Sequence, residues 1–93
     1  MNVLWTERAR DDFERIVRQL TGFSPAAGTD FARQVARVRL RLGEFPDSGR
    51  VVPEFEALLI REVIVGRYRL VYERFPGRIE VIAVHPAALP FER

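Results

Sequence analysis

The stretch IREVIVGRYRLVYERFPGRIEVIAVH, residues 60–85, decides the fold. It contains three runs rich in β-branched and aromatic residues, at 61–65, 68–75 and 78–85, a composition that favours strands. Gly66-Arg67 fits a two-residue hairpin turn that begins with glycine. Pro76-Gly77 fits the middle of a type II turn, where proline sets φ and glycine takes the positive φ that follows. Two tight turns joining three strands make an antiparallel meander, and they also predict its register. Val65 falls opposite Tyr68 and Val63 opposite Leu70. In the second hairpin Tyr72 falls opposite Val81, Leu70 opposite Ala83 and Tyr68 opposite His85. Side chains alternate across a strand, so one face carries Val63, Val65, Leu70, Tyr72, Val81 and Ala83. The other carries Glu62, Ile64, Arg69, Val71, Glu73, Glu80, Ile82 and Val84. The first is the face for helices to cover. The second, apolar at its centre and charged at its margins, suits a binding surface.

Residues 44–54, upstream of the meander, read as loop, with turn chemistry at Asp47-Ser48-Gly49. Phe55, Leu58 and Leu59 are apolar enough to press the following segment onto the core, as a helical turn or as an irregular strand. Further upstream the period changes from two to 3.6. Ala9, Phe13, Ile16 and Leu20, widened by Val17, form one apolar stripe. Thr6 offers a cap to this helix, acids lie near its start, and Asp11–Arg15 and Glu14–Arg18 are spaced to pair on its outer side. Gly22 and Pro25 predict its end. A second helix over about 29–42 has the stripe Phe31, Val35, Val38 and Leu42, with Gly43 as its stop. Neither helix buries its stripe alone, so the two should pack as an antiparallel hairpin. Val3, Leu4 and Trp5 suit a short N-terminal strand. After His85 and Pro86, the tail ALPFER is apolar enough either to fold back on the domain or to meet a partner. The expected architecture is therefore α+β in one domain over 1–93: an N-terminal strand, a two-helix hairpin and a three-stranded antiparallel meander.

Composition limits the chemistry. Ninety-three residues, 47% hydrophobic and 30% charged, suit a small folded core that a permanent partner would help to stabilise. There is no cysteine, hence no disulfide or thiolate site. One histidine and scattered carboxylates give no metal-binding spacing, and no metal or other cofactor is expected. Gly43 and Gly49 are not followed by the Lys-Ser or Lys-Thr of a phosphate-binding loop. Glu54, Glu56 and Glu62 read as surface or loop acids rather than a hydrolytic pair. The opening turns polar by Thr6, and the longest apolar run, residues 57–60, is far too short to cross a bilayer, so a cytoplasmic protein without a membrane partner is expected. All fifteen basic residues are arginine, and the formal net charge is +2. Arg33, Arg37 and Arg41 recur at helical spacing away from the apolar stripe, with Arg39 beside it. This ridge is either a solvated face or a contact for acidic protein or phosphate. Metal-free RNA cleavage would require a base, an acid and cations around a phosphate, roles open to Arg61, Arg69, His85 and Tyr68. Each also has a structural reading: Arg61 pairing with Glu54 or Glu73, Tyr68 and Tyr72 packing in the sheet, His85 bonding at a strand end.

Together, Gly49-Arg50, Pro53-Glu54, Ile60-Arg61-Glu62 and Tyr68-Arg69-Leu70-Val71-Tyr72 resemble toxins of the RelE/ParE superfamily of bacterial type II toxin–antitoxin systems. The resemblance is nearer the ParE-like branch and covers nearly the whole chain. Arg50, Glu54, Arg61, Tyr68 and Tyr72 are the positions that carry it. It implies a helical hairpin on an antiparallel sheet, and a growth-inhibiting toxin silenced by a cognate antitoxin whose acidic residues would meet Arg33, Arg37 and Arg41. ParE-like members bind DNA gyrase, a topoisomerase, without catalysing a reaction on it. RelE-like members cut messenger RNA on the ribosome. The ribonuclease branch usually has basic residues on the strand before the Gly-Tyr-Arg element and a Gly-x-Arg after the last strand. Here the first site reads Arg61-Glu62-Val63-Ile64-Val65, and Pro86 and Ala88 occupy the glycine and arginine positions of the second. The resemblance therefore implies gyrase binding and no catalytic residues, with ribonuclease action through Arg61, Arg69 and His85, or an inactive or retargeted protein-interaction module, as the alternatives.

Overall fold

Thr6 divides a short strand from the helical half of the chain. β1 (Asn2–Trp5) precedes it, and its hydroxyl accepts the Ala9 N–H at 3.1 Å to open α1 (Glu7–Phe23). In this computed structural model, which describes residues 1–55 and 59–93, α1 runs through Gly22. The expectations for Glu56 and Leu58 fall outside the described residues. α2 (Pro25–Glu44) begins at Pro25 rather than near Thr29, so the hairpin has almost no loop. Ser24 explains the difference by serving both helices. Its N–H donates to Leu20 O at 3.0 Å, closing α1, and its Oγ accepts the Ala27 N–H at 3.4 Å, opening α2. Pro25 stands where a helix needs no N–H, so it starts a helix rather than marking a loop. Gly43 likewise lies inside α2, which stops one residue later. The expected Asp11–Arg15 pairing gives way to Arg15–Asp12 at 3.2 Å, and Glu14–Arg18 is not among the described ion pairs.

The meander is the centre of a larger sheet. β2 (Arg50–Val51), β3 (Ile60–Val65), β4 (Tyr68–Phe75) and β5 (Arg78–Pro86) join β1 in the order β1-β5-β4-β3-β2. β1 runs parallel to β5, and the other pairs are antiparallel. β2 lies in the stretch read as loop, and two residues are too few to show a period. Gly66 (φ 60°) and Gly77 (φ 79°) take the positive φ their turns require. The first hairpin has the predicted register, and so does Tyr72 opposite Val81. Beyond that pair a bulge intervenes: Val71 faces Ala83, Leu70 faces Val84, Arg69 faces His85 and Tyr68 faces Pro86. Ile82 is the extra residue, and an extra residue reverses the alternation beyond it. Ala83 consequently moves to the outer face and Val84 to the helix face, the opposite of the unbulged prediction.

Helices and sheet enclose an inner cluster of Ile16, Phe31, Val35, Leu42, Leu70, Tyr72, Val81 and Val84. Through it runs an aromatic chain: Trp5 to Phe13 at 5.7 Å, Phe13 to Phe31 at 6.0 Å and Phe31 to Tyr68 at 5.4 Å between ring centroids. The outer face carries a second cluster, Val52, Ile60, Val71, Ile82, Ala83 and Phe91, with Phe55 against it. The tail thus folds back on its own domain, with Phe91 only 2% exposed. No helix among the described residues is long and apolar enough to cross a membrane.

Candidate functional site

The outer sheet face gathers Arg50, Glu54, Glu62 and Arg69 of the motif, whereas Tyr68 and Tyr72 pack in the inner cluster. Glu62 and Arg69 are diagonal neighbours, because Glu62 faces Val71 and Arg69 lies two residues before it. Both are buried, at 1% and 4% exposure. A lone buried charge is costly, so each must be paired. Arg69 Nη1 donates to Glu62 Oε1 and Glu54 Oε1, each at 3.0 Å, and its Nη2 also contacts the Glu54 carboxylate. The other Glu62 oxygen accepts from Arg50 Nε at 2.6 Å. Two arginines and two glutamates thereby interlock β2, β3, β4 and the 53–54 turn. Hydrogen bonds from Arg69 and from the Phe91 N–H hold the Glu54 carboxyl down at about 2, well below its ordinary 4.5.

The tail lies across this network. Leu89 O accepts from Arg69 Nη2 at 2.8 Å, and Glu54 Oε2 accepts the Phe91 N–H at 2.7 Å. His85 Nε2 lies 3.0 Å from Pro90 O. Arg8 spans the tail from α1, with its guanidinium 5.0 Å from the Phe91 ring centroid and donating to Glu92 O. Arg93 pairs with Glu73.

The expected partner of Arg61 is corrected by this arrangement. Glu54 belongs to Arg69 and Glu73 to Arg93, while Arg61 donates to the carbonyls of Gly49 at 2.8 Å and Asp47 at 3.2 Å. It shares this loop with Tyr72, whose hydroxyl donates to Pro46 O at 2.8 Å and accepts the Gly49 N–H at 3.0 Å. Burial pushes the Tyr72 phenol up, keeping it a protonated donor. A Cβ on Gly49 would lie 2.7 Å from the Tyr72 ring, so glycine is required at this close approach. Of the three residues of the ribonuclease alternative, Arg69 and His85 stand opposite each other and Arg61 turns into the 46–49 loop.

Arg33, Arg37, Arg39 and Arg41 are all exposed on α2, and none makes an ion pair among the described residues. Sequence reasoning missed the importance of Glu62. The signal was available, because the predicted register already put Glu62 and Arg69 on one face.

The model of the ParE toxin of the type II toxin–antitoxin system parDE matches residues 3–88. No curated protein matches the sequence. Among solved structures, a chain described as the chromosomal ParDE TA system from P. aeruginosa is similar, with a TM-score of 0.75 at 15% identity over 92% of this chain and 95% of that one. A YoeB/ParE toxin from Agrobacterium tumefaciens gives a TM-score of 0.67 at 18% identity, over 92% and 98%.

Proposed function

The chain belongs to the ParE toxin family of type II toxin–antitoxin systems, and from that membership we propose that it stops growth by binding DNA gyrase and is silenced by a cognate antitoxin. The state of Arg69 is the observation that carries the choice between the two toxin branches. An arginine that stabilises a phosphate in a transition state must aim uncompensated charge at it. Arg69 is instead matched by Glu54 and Glu62 and covered by the tail. Arg61 is likewise occupied by two carbonyls. These partnerships support a binding role over RNA cleavage. The exposed row of Arg33, Arg37 and Arg41 supports an acidic antitoxin segment as the silencing partner.

The test is expression with and without the product of the neighbouring antitoxin gene, followed by two assays of the purified toxin. Growth arrest relieved by the antitoxin, loss of gyrase supercoiling and intact ribosome-bound messages are expected. Cut messages with normal supercoiling, or growth that continues without antitoxin, would overturn the proposal.

A further inference from the structure

The apolar stripe of α1 runs on past the part of the helix that packs on the core. Phe13, Ile16 and Leu20 continue at helical spacing to Phe23, the last residue of the helix. Phe23 is 90% exposed, more than any other large apolar side chain among the described residues. Its backbone is firmly held. Ser24 caps both helices beside it, and a Cβ on Gly28 would stand 2.1 Å from Thr21 Oγ1, so α1 and α2 are in close contact at this end of the hairpin. Beside Phe23 lies a cavity of about 490 Å³, whose lining includes Leu20, Phe31, Tyr68, Asp30 and Arg67. The Phe31 and Tyr68 rings meet edge to face at 5.4 Å between centroids. Arg67 is in the turn between β3 and β4, which the Ala87 N–H ties down by donating to Arg67 O at 2.9 Å. Asp30 and Arg67 are both exposed and line the same cavity, yet neither makes an ion pair among the described residues.

We propose that this end of the molecule is a contact between two copies of the chain related by a twofold axis. Such a contact uses one patch twice, so the patch must be complementary to itself. This one supplies both halves of the fit: a projecting ring and an apolar recess, an acid and a base. Phe23 of each copy enters the recess of the other and joins the Phe31–Tyr68 aromatic pair. Asp30 of each copy meets Arg67 of the other. An aromatic anchor filling an apolar recess is the kind of contact that dominates interface energy, and a backbone held in place beforehand lowers the cost of binding. The acid and the base cancel, so a nucleic acid finds no surplus of positive charge at the patch and a membrane surface finds no basic rim. The contact is small, which makes the dimer a weak one that forms at high concentration. The inference goes beyond the toxin reading and does not depend on which molecule the toxin binds.

Sedimentation equilibrium of the purified chain without its antitoxin tests this pairing. Monomers at about 1 µM and dimers at about 100 µM are expected. Phe23→Ser should raise the dissociation constant by about tenfold, because symmetry removes the ring twice. Arg67→Glu and Asp30→Arg should each raise it by about fivefold alone, and together they should restore it to near the parent value. All three side chains are exposed, so the circular dichroism spectrum should stay unchanged in every variant. A monomer at every concentration overturns the proposal. So does a dimer that Phe23→Ser leaves intact, or a double charge reversal no tighter than either single one. A monomer whose binding to the antitoxin is weakened by Phe23→Ser assigns the patch to that partner and also overturns the second copy.

Discussion

Arg69 shows how much one residue's meaning depends on its neighbours. As a residue type it is a phosphate-binding cation, but in place it is the buried hub of an ion network. Removing one partner of a buried pair costs several kcal/mol because it leaves a charge uncompensated, and here Arg69 and Glu54 also bond the tail to the sheet. Glu54 makes this measurable. Its folded pKa of about 2 lies below the ordinary 4.5. The stability it contributes is present above pH 4.5 and is lost as the pH falls towards 2. Allowing for a side chain that is 28% exposed, that contribution is on the order of 2 kcal/mol. Glu54→Gln should therefore be less stable than the parent by about that amount at pH 7. In urea unfolding the gap should close as the pH is lowered to about 2.

Elements depart from the sequence pattern wherever a boundary is decided by a cap or a bulge. Gly22 and Pro25 resemble a stop and a break, yet Ser24 lets the chain leave one helix and enter the next within a single residue. Gly22 has nothing within 4 Å of where a Cβ would stand and does not have a positive φ. Gly22→Ala should raise stability by about 0.5–1 kcal/mol, read as an increase in the thermal midpoint. The bulge at Ile82 serves the same economy in the sheet. β1 ends opposite Val81, and beyond that point Asp12 Oδ2 on α1 accepts the Val84 N–H at 3.0 Å. The register shift and the helix contact occur together, and neither has a signature in the local pattern.

At the scale of the molecule, one sheet separates two apolar clusters, one under the helices and one under the tail. Phe91 is the bulk of the second cluster, edge-on to Phe55 at 5.9 Å and to His85 at 5.4 Å. Phe91→Ala should cost about 3–4 kcal/mol in urea unfolding and speed amide exchange along the outer face of β4 and β5. The sequence by itself determined the strand meander, its turns, both helices and the placing of Glu62 and Arg69 on one face of the sheet. Those features follow from local periodicity and from glycine and proline at fixed places. Only the tertiary structure decided that the tail closes the outer face, that Arg69 takes Glu54, and that Val84 rather than Ala83 points inward. Each of these depends on residues far apart in the chain competing for the same partners, and such competition is resolved by packing in three dimensions rather than by spacing along the sequence.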